Sequence, residues 1–99
     1  HKPRDVELDV GRLRSWCRQG RKVKFRYVDE AGEASERTVW PFLLGYVATT
    51  RTVMAWCELR KDFRIFRTDR LSEVTFLDEF YPEDRVVLRR RWLELMEQR

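Results

Sequence analysis

From Lys22 to Leu77 apolar residues tend to recur at every second position, in runs too short for helices and separated by turn residues. A period of two sends alternate side chains to opposite faces, so this stretch can fold only as a set of short, half-buried strands. Val23, Phe25 and Tyr27 point one way and Lys22, Lys24 and Arg26 the other, giving a strand with a basic outer face. Asp29-Glu30-Ala31-Gly32 reads as a hairpin turn, because these residues accept tight-turn backbone angles. Ser35 to Trp40 is the returning strand, and Pro41, which cannot donate to a ladder, predicts an edge or a bend. Phe42 to Ala48 and Thr52 to Leu59 form a second pair around Thr49-Thr50-Arg51. In the latter strand Val53, Ala55, Cys57 and Leu59 share one face, and Thr52, Met54, Trp56 and Glu58 the other. Phe63 to Thr68 follows Arg60-Lys61-Asp62, with Phe63 and Ile65 inward and Arg67, by the same alternation, inward or toward a cleft. Ser72 to Leu77 ends the series after the turn Asp69-Arg70-Leu71.

Helical spacing flanks this region. Over 9–19, Val10, Leu13, Trp16 and Cys17 fall on one face, Asp9 can cap the start and Gly20 stands where a C-terminal glycine belongs. Pro82 opens a second helix over about 83–98, and Glu83 and Asp84 suit its N-terminus. Its apolar stripe is Leu88, Trp92, Leu95 and Met96, with Arg90 and Glu94 placed to pair on the outer face. The stripe is expected to pack on the strands; the alternative is a homodimer through Leu88, Trp92 and Leu95. The fold class is therefore mainly β (α+β): a curled sheet or partly open barrel of about five strands, with a short N-terminal and a C-terminal helix. Its strand core spans about residues 21–81, and the 99 residues suit a single domain.

A hydrophobic share of 42% suffices for a core. No apolar run approaches the roughly 18 residues of a membrane helix, and His1-Lys2-Pro3-Arg4-Asp5 is polar, so neither a membrane anchor nor a secretion signal is expected. Cys17 and Cys57 lie far apart among apolar neighbours, which favours buried free thiols in a reducing, cytoplasmic setting over a disulfide. Positive charge is concentrated: residues 1–26 carry nine basic and three acidic groups, and residues 60–70 five and two, whereas 27–59 and 71–99 are net negative. If folding joins the two basic segments they make one positive face.

Catalysis finds little material. The only histidine is His1, expected to be left over from cloning, so no cysteine or serine has an imidazole partner. No Cys or His cluster has metal-ligand spacing, and the four glycines are too scattered for a phosphate loop. A binding module without cofactor or metal is expected, and not an enzyme. The informative stretch is Trp56 to Arg70, where Arg60, Arg64, Arg67 and Arg70 are interleaved with Phe63, Ile65 and Phe66. Arginine grips phosphate through a planar fork and neighbouring aromatics can stack on bases. The competing reading is a salt-bridged strand with Glu58, Asp62 and Asp69 as partners.

The stretch from Arg21 to Tyr81 resembles the WYL domain, a module of bacterial transcription regulators. The matching pieces are Lys22-Val-Lys-Phe-Arg-Tyr27 with the turn Asp29-Glu-Ala-Gly32, Arg37-Thr-Val-Trp-Pro41, Ala55-Trp-Cys-Glu-Leu-Arg60 and Phe63-Arg-Ile-Phe-Arg-Thr-Asp-Arg-Leu71. The resemblance implies a small SH3-like or Sm-like barrel that senses a ligand. It also implies that single-stranded nucleic acid or a nucleotide-like anion binds in a basic cleft. By position, that cluster falls on Arg37, Arg60, Arg64, Arg67 and Arg70, with Tyr27 and Trp56 as aromatic neighbours. The alternative is a protein-interaction module without nucleic-acid binding. The eponymous Trp-Tyr-Leu falls on Arg51-Thr52-Val53: the valine keeps a core residue, and a cation and a small hydroxyl replace the rings. Arg51 is expected at the hairpin tip. Arg67, a cation on an apolar face, is the strongest candidate, because a buried cation requires a carboxylate or a ligand anion. Arg37 and Arg70 have alternatives as a cross-strand salt bridge and a brace for the turn. Helix 9–19 is too short for a helix-turn-helix, so the chain reads either as a piece of a regulator or as a stand-alone module.

Overall fold

A computed structural model describes residues 8–98; the N-terminal segment that includes His1 lies outside them. The elements run α1 (Val10–Gln19), β1 (Arg21–Val28), β2 (Ala34–Val47), β3 (Thr50–Cys57), β4 (Asp62–Arg67), a single 3-10 turn (Thr68–Arg70), β5 (Leu71–Phe80) and α2 (Arg85–Glu97). The ends of α1 follow the capping rules. The Asp9 carboxylate accepts from the Arg12 N–H at 2.9 Å, and Gly20 takes a left-handed φ of 75°, where a Cβ would be strained. At α2 the cap is Asp84, whose side chain accepts from the Val86 N–H at 2.7 Å.

All five strands belong to one antiparallel sheet in the order β4-β3-β2-β1-β5. Among the described residues no ladder joins β4 to β5, so the sheet is an open one, as in the curled-sheet expectation, and an SH3-like or Sm-like barrel is not established. It is nonetheless strongly curled. Phe25 on β1 and Phe66 on β4, two strands apart, meet edge to face with ring centroids 5.1 Å apart. Pro41, the expected edge or bend, stands at a bulge within one long strand, with the register to β3 shifting between Pro41 and Leu43. Pro41 is tolerated because β1 pairs β2 only from Ala34 to Val39, so no β1 carbonyl waits for the N–H that proline lacks. Leu59 falls in the β3–β4 turn and is exposed, not inward.

Two cores lie on opposite faces. Within the curl, Leu13 and Cys17 of α1 pack with Val23, Phe25, Val39, Val53, Ala55, Cys57, Phe66 and Leu71. On the outer face Leu88 of α2 packs with Phe42, Met54, Phe63 and Tyr81, and Trp92 and Leu95 lie against this cluster. β3 is therefore buried on both sides. The stripe on which a homodimer through Leu88, Trp92 and Leu95 relied is taken up by packing within the domain. Among the described residues both cysteines are free and buried, and no helix is long and apolar enough to cross a membrane.

Candidate functional site

The rim of the curled face is where arginines and aromatic rings meet. Antiparallel partners share a face, so Arg37, opposite Phe25, points into the curl. It is 6% exposed and the only charged residue in the buried class among the described residues. Its Nε donates to Ser35 Oγ at 2.9 Å and one Nη to Cys57 Sγ at 3.4 Å. Its guanidinium carbon lies 5.8 Å from the Phe66 ring centre. Arg37 is absent from every ion pair among the described residues, so neither a carboxylate nor the expected cross-strand salt bridge balances it.

Tyr27, two residues along β1, is half-buried and meets Phe66 edge to face at 5.0 Å. Its hydroxyl accepts from the Arg67 N–H at 3.4 Å. Arg64, opposite Ala55, is on the same face as Phe66, exposed and paired with Asp62 at 3.2 Å. Arg67 is not the buried cation: about half its side chain is exposed, and it grips both oxygens of Asp69 at 3.1 and 2.7 Å. Alternation holds, since Arg67 is opposite Thr52 on the face of Phe63 and Ile65, but at the end of an edge strand that turns into a 3-10 segment directly afterwards it is left half-exposed. The hydrogen bonds and charge of Arg67 hold the Asp69 carboxyl below its ordinary value. Arg70 ends the turn, next to Leu71, the β5 partner of Tyr27. The expected brace, through Asp69 or backbone carbonyls, does not form: Arg70 makes no side-chain hydrogen bond or ion pair among the described residues.

Two candidates fall elsewhere. Trp56 is on the outer face, 5.2 Å from the Phe63 ring and 5.9 Å from the guanidinium of Arg91 on α2, so the sheet separates it from Tyr27. Ile65, expected inward, shares that face and is 42% exposed because α2 does not reach it fully. Arg60 is exposed in the β3–β4 turn and is in none of the ion pairs of the described residues. The basic outer face of β1 is largely neutralised, since Lys22 pairs with Glu58 at 2.8 Å and Glu79 at 3.1 Å, and Lys24 with Glu36 at 3.6 Å.

At the family's Trp-Tyr-Leu position, Val53 and Thr52 are buried and Arg51 is half-exposed. Arg51 is not at the hairpin tip, which is Ala48-Thr49, but on β3 opposite Tyr46. Sequence reasoning missed Tyr46, which reads as an ordinary strand aromatic until the register is known; of the aromatics interleaved with the arginines, Phe66 is the one the register brings beside Arg37 and Tyr27. Burial pushes the Cys17 thiol up to about 12, against the opposing charge of Arg85, so it is held as a thiol among apolar groups. Among the described residues no group of three or more His, Cys, Asp or Glu side chains is placed to hold a metal ion.

The family model that matches this chain is the WYL domain, over residues 10–76. No curated protein matches it in sequence. Among solved structures the chain is similar to proteasome accessory factor B/C (PafBC) of Arthrobacter aurescens, with a TM-score of 0.69 and 24% identity over 83% of this chain. That likeness is one of fold, and this chain spans 13% of the length of the other.

Proposed function

The chain belongs to the WYL-domain family, and from that premise we propose that it is a ligand-sensing, regulatory module of a bacterial transcription regulator. Its ligand is single-stranded nucleic acid or a nucleotide-like anion, held at the rim of the curled sheet. The observation that carries this reading is Arg37, buried to 6% exposure with no carboxylate partner among the described residues. Taking a cation out of water costs several kcal/mol unless a counter-charge compensates it, and a ligand phosphate can be that counter-charge. Arg64 shares the Phe66 face of β4, the Arg67 N–H meets the Tyr27 hydroxyl and Arg70 precedes Leu71, the β5 partner of Tyr27; the face of Tyr27 or Phe66 can receive a base. A phosphate at Arg67 competes with Asp69, and one at Arg64 with Asp62, which makes those two exposed pairs exchangeable latches.

Fluorescence anisotropy of a labelled oligothymidylate, titrated at several salt concentrations, tests the proposal. About four phosphate contacts to a single strand give a slope of log K against log salt of roughly −3. The Arg64→Ala/Arg67→Ala variant removes two contacts on exposed positions and should bring the slope to roughly −1.5. Affinity that does not change with salt, or that survives intact in the variant, would overturn it.

A further inference from the structure

The β2–β3 hairpin and the turn after β4 enclose a cleft of about 300 Å³ lined by Tyr46, Thr49, Thr50, Arg51, Thr68 and Asp69. That volume is at the lower end of small-ligand pockets, about 300–1,000 Å³. Its chemistry is one-sided. Arg51 is in no ion pair among the described residues; its one hydrogen bond is from Nε to Thr68 Oγ1 at 3.4 Å. Its two terminal nitrogens are in no hydrogen bond among the described residues, and Arg51 lines the cleft. The only acid there, Asp69, has both oxygens engaged by Arg67. Tyr46 stands directly across the ladder from Arg51, hence on the same face, and is 66% exposed. Thr49, Thr50 and Thr68 add hydroxyls, and the Thr68 hydroxyl is fixed by donating to the Arg51 carbonyl at 3.3 Å.

We propose that this cleft is a second nucleotide subsite, in which Arg51 and the threonine hydroxyls take a phosphate and the exposed Tyr46 ring takes the base. A free guanidinium fork matches two phosphate oxygens. An exposed ring beside it offers a stacking platform that every base can use. Arg21, Lys22 and Lys24 on β1 and Arg64 and Arg67 on β4 have carboxylate partners; Arg51 has a ring and hydroxyls beside it instead. The ligand class rests on the nucleotide reading proposed above. The Tyr27 hydroxyl meets the Arg67 N–H and the Arg67 partner Asp69 lines this cleft, so one strand can run past Arg67 from one to the other. A free mononucleotide is the other source of the same chemistry.

Two arms separate these sources. In the first, labelled oligothymidylates of three and of ten nucleotides are titrated with the wild-type chain and with Arg51→Ala and Tyr46→Ala, both at solvent-facing positions. Each variant should weaken the ten-mer about tenfold, Arg51→Ala should also reduce its salt slope by about 0.7, and the three-mer should be unaffected. In the second, adenosine monophosphate is titrated at millimolar concentration while the amide signals of Thr49, Arg51 and Thr68 are followed by NMR. Saturable shifts there that vanish in Arg51→Ala mark a free nucleotide as occupant, and they support the cleft even if no oligonucleotide binds and the rim reading fails. A ten-mer effect without such shifts marks a strand. If neither variant changes ten-mer affinity and the nucleotide moves none of the three amides, the subsite is refuted, whatever the rim does.

Discussion

Arg37→Met should make the ligand-free domain more stable while removing its ligand affinity. Met is long and unbranched and fills much of the same channel between Phe66 and Cys57, so the substitution deletes the charge and few contacts. In the wild type Arg37 is 6% exposed. An ion buried to that degree carries an effective desolvation penalty of several kcal/mol. Against it stand the bond to Ser35 Oγ at 2.9 Å and the weaker one to Cys57 Sγ at 3.4 Å, together worth about 1–3 kcal/mol. The Phe66 ring at 5.8 Å adds about 0.5–1 kcal/mol. Replacing the cation with an apolar side chain then leaves a net gain of about 1–2 kcal/mol, which in a domain of this size raises Tm by roughly 5–10 °C. Thermal unfolding without ligand, followed by far-UV circular dichroism, reads this directly, and anisotropy on the same preparation reads binding. A Tm that stays level or falls would refute the reasoning. The guanidinium would then hold the fold together by its own bonds, and its burial would be no argument for a ligand anion.

Two further outcomes follow from other residues. Burial pushes the Glu58 carboxyl up, but hydrogen bonds from Lys22 and Trp40 outweigh it and hold it below its ordinary value of 4.5. A depressed carboxylate contributes stability that is present above the unfolded value and is lost as pH falls through the folded one, so Glu58→Gln should flatten the loss of stability between about pH 5 and about pH 3; an unchanged urea-midpoint profile would remove Glu58 from the acid transition. The Tyr81 hydroxyl donates to the Pro41 carbonyl at 3.0 Å in a buried setting, so Tyr81→Phe leaves that acceptor one donor short and should cost about 1–2 kcal/mol in urea unfolding with an unchanged m-value, and a midpoint equal to wild type would show that the bond adds nothing.

Much of the fold is legible in the chain because alternation and capping are local properties. The caps Asp9 and Gly20, the inward set Val23, Phe25 and Tyr27, and the hairpin at Asp29–Gly32 all stand where their chemistry puts them. What alternation cannot supply is which face of one strand lies beside which face of the next. Trp56 and Cys57 were correctly sorted to opposite sides of β3, yet only the register shows that Trp56 faces α2 and Cys57 faces Arg37. Arg67 and Arg37 exchanged roles for a related reason. Arg67 sits where an edge strand gives way to a turn whose own Asp69 captures it, whereas Arg37 is on a central strand opposite Phe25, where the curl closes over it. Closure of the sheet was beyond reach as well, since it depends on whether β4 and β5 meet.

Net charge is a poor guide to where this module meets an anion, and the pairing of its cations is a better one. On the outer surface Lys22 is paired with Glu58 and Glu79, Lys24 with Glu36, Arg21 with Asp78 and Arg91 with Glu83, while cations such as Arg26 and Arg60 that are in none of the ion pairs of the described residues are exposed to water. The paired groups add to the formal +4 only through their distant field, which salt screens over about 10 Å. At the rim the pattern changes by degrees. Arg64 and Arg67 hold acids two residues away on the same chain segment, in pairs exposed enough to exchange for a phosphate. Exposed pairs of that kind are worth about 0–1 kcal/mol, so displacing them is cheap. Arg37 and Arg51 hold no acid among the described residues, and aromatic rings, hydroxyls and a thiol surround them instead. A chain selected only for solubility has no reason to desolvate one arginine without a counter-ion and to set another beside an exposed tyrosine. A chain that must respond to an anion does, because a site with its cations already stripped of water and of competing carboxylates loses least when the ligand arrives.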